Sequence, residues 1–224
     1  ALLRFVPIRK DPNESVVDLL SALLLCALAS LGLMGLGVLS GPWLAETFLG
    51  GIEQVRVVRI ALLLIPVSGL LNLVLSYLRA ARATTSYAWL VAGETCGWLA
   101  VAATLLVLEG DLELMILGLL TIRSLILAVG VGLVLSRSRI WSPRLSSLGP
   151  YLRYGLPLLP LGVLNWVINA SDRFFLSYFC EPEVVGIYAV SYGIGSIVGL
   201  AYAPVFFVLL PATGMVAEVM PVFA

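Results

Sequence analysis

The stretch LELMILGLLTIRSLILAVGVGLVLS, residues 112 to 136, decides what kind of protein this is. It holds two charges, Glu113 at its start and Arg123 near its middle, and is otherwise almost wholly apolar. A helix needs about 20 residues, at 1.5 Å each, to cross the hydrocarbon of a bilayer. This run is long enough. A lipid-exposed span must satisfy its own backbone hydrogen bonds, so the run is expected to be helical. Five further segments share its character, near residues 17–40, 57–78, 86–108, 153–178 and 186–210. A β-barrel would show alternating segments of about ten residues, and the sequence has none. The expected fold class is therefore all-α: a polytopic membrane protein with six transmembrane helices.

Composition agrees. Hydrophobic residues make up 61% of the 224 and charged residues 12%, with a mean hydropathy of +1.07. A soluble domain would be near half apolar and about a quarter charged. The formal net charge of zero suggests no nucleic-acid partner. The expected partner is the bilayer itself. Cys26, Cys96 and Cys180 are scattered and form neither a metal-ligand spacing nor a disulfide framework. Histidine is absent, which removes the commonest general base and metal ligand. No nucleophile–base pair stands out. The chain is thus not expected to be an enzyme, and no catalytic residue, cofactor or metal is assigned. It begins ALLRFVP and ends MPVFA, and reads as a fragment of a longer protein.

The connections set the orientation. Arg4, Arg9 and Lys10 precede the first span, Arg79 and Arg82 separate the second and third, and Arg137, Arg139, Arg144 and Arg153 separate the fourth and fifth. The alternate loops, GPWLAETFLGGIEQ, LEGDLE and CEPEVVG, hold acids and no Lys or Arg. Arg56 and Arg59, at the start of the second span, are the exceptions. The positive-inside rule puts the nine-residue basic side in the cytoplasm, and with it both ends of the chain. Trp43 and Trp141 suit interfacial belts, whereas Trp98 and Trp166 lie deeper. The loop 137–152 holds two prolines and three arginines. It reads either as an ordinary cytoplasmic loop or as a seam between two helical bundles. The seam reading puts residues 1–136 in an N-terminal bundle, makes 137–152 a cytoplasmic linker, and starts a C-terminal bundle at 153–224.

Polar residues inside the spans form stripes. In NWVINASDRFFLSYF, residues 165 to 179, Asn165, Asn169, Asp172 and Arg173 fall within about a 100° arc of a helix. Val163, Leu164, Val167, Ile168, Phe174 and Phe175 cover the other side. Ser68, Asn72 and Ser76 repeat the pattern in the second span. Glu94 and Arg123 lie at similar depth in the third and fourth spans, where a pair would form. A charge at the bilayer centre costs roughly 3 kcal/mol, so such residues tend to face a bundle interior or a wet path. Arg173 has a second reading, snorkelling outward from a point roughly seven residues from its helix end. The Asn and Ser residues also suit interhelical hydrogen bonding. Pro66, Pro157 with Pro160, and Pro204 interrupt three spans and are hinge candidates. Gly37 with Gly41, and Gly195 with Gly199, suit close helix packing.

A resemblance then becomes visible. YLRYGLPLLPLGVLNWVINASDRFFLSYFCEPEVVGIYAVSYGIGSIVGLAYAPVFFVLLPA, residues 151 to 212, resembles the polysaccharide-biosynthesis flippases of the multidrug/oligosaccharidyl-lipid/polysaccharide exporter superfamily. RYGLP (153–157), SDRFFLSYF (171–179), VGIYAVSY (185–192) and LLPA (209–212) carry it, and IPVSGLLNLVLSYLRAARATTSYAWL (65–90) is similar to the same family's fourth and fifth helices. The resemblance implies two six-helix bundles around a central cavity, with this chain covering about helices three to eight. It implies alternating-access transport of a polyprenyl-diphosphate-linked oligosaccharide across a bacterial or archaeal cytoplasmic membrane. Partners would include a polysaccharide polymerase and glycosyltransferases. Family members use cavity cations to meet the anionic substrate, and Arg123 and Arg173 are the positions here that could serve. Asn72, Asn165, Asn169, Trp166, Tyr188 and Tyr192 are of the types that hold sugars. Two rivals share the superfamily: a multidrug/cation antiporter using Glu94 and Asp172, and a peptidoglycan-precursor flippase using the arginines.

Overall fold

A computed structural model describes residues 12–49, 51–108, 110–136, 143 and 148–195. Those residues form α1 (Pro12–Leu39), α2 (Gly41–Leu49), a 3-10 turn (Ile52–Gln54), α3 (Val55–Leu62), α4 (Leu64–Ala80), α5 (Thr84–Val107) and α6 (Leu112–Leu135). They continue through α7 (Gly149–Gly155), a second 3-10 turn (Leu156–Leu158), α8 (Leu159–Phe179) and α9 (Pro182–Gly195). No strand occurs among the described residues. Among the described residues, four stretches are long and apolar enough to cross a membrane: Glu14–Leu39, Ile52–Ala80, Thr84–Val107 and Leu112–Leu135. They match the first four expected spans to within a few residues. Only 6% of the most apolar window in the first, third and fourth is buried inside the protein. Such apolar exposure would be ruinous in water and is what lipid solvates. The chain is an all-α polytopic membrane protein.

Prolines explain where the helices depart from the expected spans. The second span is broken at Leu63, between α3 and α4. Pro66 has no N–H to give the Leu62 carbonyl four residues back, and its ring crowds that carbonyl. The ladder shortens there instead, with Leu63 N–H donating to the Ile60 carbonyl at 3.1 Å. The fifth span, expected as one helix over 153–178, is three pieces: α7, the 3-10 turn and α8. Pro157 sits in the 3-10 turn, and Pro160 falls in the first turn of α8, where no N–H is needed. α8 has 21 residues. It is nonetheless not among the four most apolar stretches, because Asn165, Asn169, Asp172 and Arg173 all lie in it. Of the sixth expected span only the α9 portion is described; Gly199, Pro204 and the rest of 196–224 lie outside the described residues. So do Arg4, Arg9, Lys10, Arg137, Arg139, Trp141 and Arg144.

The chain divides into two compact units, residues 1–157 and 158–224. In the first, α1 packs on α4, α4 on α6, and α6 on α5. Glycines let these helices approach. A Cβ at Gly97 would sit 2.8 Å from Ile122, one at Gly130 would sit 2.9 Å from Val74, and one at Gly37 would sit 2.6 Å from Leu62. Gly118 is closed against Val101 in the same way. Small residues at a lipid-solvated interface gain van der Waals contact that water would not otherwise drive. Arg56, one of the two basic residues on the acidic side, is bridged to Glu113 of α6 at 2.9 Å.

The best-packed part of this unit is one end of the bundle, where Leu19, Val74, Leu78, Leu90 and Val134 are buried together with Tyr77 and Tyr151. Asp18 is inside this end, only 2% exposed. The Tyr151 hydroxyl of α7 donates to its Oδ2 at 2.7 Å. Nearby, the Ser15 and Tyr77 hydroxyls lie 3.3 Å apart. A hydrogen bond to a buried carboxylate is worth more than a neutral one, and losing it exposes a desolvation cost of about 1–3 kcal/mol. Tyr151→Phe is therefore expected to lower the thermal midpoint of the purified full-length protein in detergent. An unchanged midpoint would show that the hydroxyl carries none of this end's stability.

Candidate functional site

Two polar clusters stand inside the helices, one in each unit.

The first joins three helices at mid-depth. Arg123 is near the centre of α6, Glu94 near the centre of α5, and Ser68 near the start of α4. Arg123 Nε donates to Glu94 Oε1 at 3.0 Å, and Nη1 donates to Ser68 Oγ at 2.7 Å. The side chains of Arg123 and Glu94 are 31% and 22% exposed, so the pair is not sealed into the bundle. The depth match between Glu94 and Arg123 is thus realised as a salt bridge. Ser68 belongs to the Ser68–Asn72–Ser76 stripe, but the stripe does not act as a unit: Asn72 is exposed, while Ser68 turns to the arginine.

The second cluster ties α8 to α9. Asp172 accepts a short hydrogen bond from the Tyr188 hydroxyl of α9. It also accepts from the backbone N–H of Arg173 at 2.9 Å. The Arg173 guanidinium does not turn to Asp172. It lies over the ring of Tyr192, 5.3 Å from the centroid. Tyr188 and Tyr192 are one helical turn apart, and their ring centroids are separated by 6.1 Å. The i, i+4 spacing places both rings on one face of α9, where consecutive residues of α8 meet them. So Asp172 and Arg173 each take their own tyrosine, and the two charges are not paired with each other. Among the described residues, nothing accepts a hydrogen bond from the Arg173 guanidinium. A stacked guanidinium keeps its in-plane N–H fork free, which is the geometry that receives phosphate or carboxylate.

The other candidates are placed less specifically. Asn165 and Asn169 are exposed and bonded along their own helix: Asn169 Nδ2 donates to the Asn165 carbonyl at 2.7 Å and approaches its Oδ1 at 3.3 Å. Trp166 is 62% exposed, with its ring edge-on to Phe174. It lines an apolar hollow with Val167, Ala170, Phe174 and Phe175, all on α8. That surface suits hydrocarbon, not a charged headgroup. Pro66, Pro157 and Pro160 mark real helix breaks, whereas Pro204 is outside the described residues. Two contacts carry no local signal in the sequence: that of Asp18, at the start of a span where acids are ordinary, and that of Ser68 with Arg123, since the Ser68–Asn72–Ser76 stripe does not say that α4 lies beside α6.

The fold and these clusters define a class: a multi-pass helical membrane protein with charged groups built into its helices and held there by named partners. The chain belongs to the polysaccharide biosynthesis protein family, whose model matches residues 1–216. No curated protein and no solved structure gives a significant match.

Proposed function

We propose that the chain is part of a carrier that flips a polyprenyl-diphosphate-linked oligosaccharide across the cytoplasmic membrane for surface polysaccharide synthesis. The observation that carries this reading is Arg173, which lies over Tyr192 with its N–H fork unclaimed among the described residues, while the adjacent Asp172 is occupied by Tyr188. A diphosphate is best held by charge-assisted, bidentate hydrogen bonds from arginine. Membership of a polysaccharide biosynthesis family supplies the glycan, and the apolar spans supply the setting for a lipid-linked substrate. The cation-antiporter reading needs an available carboxylate, but Glu94 is bound to Arg123 and Asp172 to Tyr188. A peptidoglycan-precursor flippase would use the same arginine chemistry; the family match favours surface polysaccharide.

The mechanism we propose is alternating access, with helices bending at the breaks beside Pro66 and between Pro157 and Pro160. The bundle end bearing Arg79 and Arg82 faces the cytoplasm in this scheme. A polymerase and glycosyltransferases would act on either side of the step. The direct test is leaflet transfer of a fluorescent polyprenyl-diphosphate oligosaccharide in vesicles holding the full-length protein. Transfer well above protein-free vesicles is expected. Folded, correctly inserted protein that gives only the background rate would end this reading.

A further inference from the structure

Arg123 and Arg173 present different chemistry. Arg173 has its fork open, whereas Arg123 has Nε on Glu94 and Nη1 on Ser68. Arg123 is also partly open to its surroundings, so an anion can approach it. A phosphate arriving there must compete with a carboxylate already in place.

We infer that Glu94 is an internal competitor for the substrate's phosphate at Arg123, a positioning residue that keeps this mid-depth cation from holding the lipid-linked anion too tightly. The inference rests on the carrier reading above. A translocation path works when each site binds well enough to be entered and weakly enough to be left. An uncovered arginine in a low-dielectric interior would bind a diphosphate strongly and release it slowly. With Glu94 on Nε, the approaching anion sees a nearly neutral pair. It gains the side edge of the guanidinium, the one that includes Nε, only by pushing the carboxylate aside, and the carboxylate returns when the anion leaves. Ser68 on Nη1 competes in the same way, more weakly because it is neutral, for a donor that a phosphate oxygen would otherwise take. A purely scaffolding pair predicts something else: its loss would weaken the bundle and would not tighten a ligand.

The test compares full-length wild type with Glu94→Gln and Ser68→Ala, using a fluorescent polyprenyl-diphosphate hexose for both equilibrium binding and vesicle transport. Glu94→Gln keeps a hydrogen-bond acceptor and removes the competing charge. Its Kd is expected to fall about tenfold, equivalent to about 1.4 kcal/mol, and its maximal transport rate to fall as well. Ser68→Ala frees one guanidinium edge and is expected to tighten binding by a smaller factor. Binding by Glu94→Gln that equals or is weaker than wild type, in folded protein, overturns the inference. If Glu94→Gln does not fold, unchanged or weaker binding by Ser68→Ala overturns it instead. Wild type that neither binds nor moves the lipid overturns the carrier reading itself, a result distinct from wild-type transport with no tightening in the variants.

Discussion

Arg173→Glu is expected to abolish transport of the lipid-linked glycan. Arg173→Ala should leave at most about a tenth of the wild-type rate, because hydrogen bonds to a charged group are worth about 1.5–3 kcal/mol each and every 1.4 kcal/mol is tenfold. Arg173→Lys should fall between wild type and Arg173→Ala. Lysine still lies over the Tyr192 ring as a cation, but it offers a point charge in place of a planar fork. Tyr192 supplies the control. Tyr192→Phe keeps the ring that orients the guanidinium and should transport nearly as wild type, while Tyr192→Ala removes the platform and should behave as a milder Arg173→Ala. Vesicle transport rates, normalised to inserted protein, decide it. If Arg173→Ala transports normally, the open fork has no role in substrate handling, and the pair of charges in α8 serves only to dock α9.

The physical reasons why parts of this arrangement could be read in advance differ from element to element. The spans were legible because lipid imposes one rule, a long apolar run with internal hydrogen bonds, and residues 112–135 obey it. Glu94 and Arg123 were legible as a pair because depth is nearly a linear function of residue number in a straight helix. Ser68 was not, since its partner is 55 residues away and depends on which helices are neighbours. The same holds for Tyr151, which reaches Asp18 across 133 residues. Tyr188 and Tyr192 were read as sugar-stacking aromatics from residue type alone. The α8–α9 hairpin sets them against Asp172 and Arg173, which residue type alone does not tell. Pro157 and Pro160 signalled a bend, yet the outcome was a true break, because two prolines three residues apart remove donors from successive turns. Gly97 and Gly118 escaped notice because their pattern spans two helices, each glycine facing a branched side chain of the other.

Arg123→Leu should be the most damaging single change in the first unit, for two separable reasons. It removes the mid-depth cation, and it leaves Glu94 a part-buried carboxylate with its salt-bridge partner gone. Breaking a buried pair by deleting one partner costs about 3–5 kcal/mol. The partial exposure here puts the expected cost toward the low end of that range. The thermal midpoint should fall accordingly, and transport should fall by at least about tenfold. The double variant Arg123→Leu with Glu94→Leu separates the two effects. Replacing a buried ion pair by apolar residues is often neutral or stabilising, and in a lipid-solvated bundle two leucines also need no polar partner. The double variant should therefore regain the lost thermal midpoint. It should not regain transport, because the cation that meets the phosphate is still absent. Recovery of both would reduce the Arg123–Glu94–Ser68 cluster to a brace between α4, α5 and α6. Recovery of stability alone would mean that the cluster is kept for what it does to an anion, since apolar packing can supply its structural share.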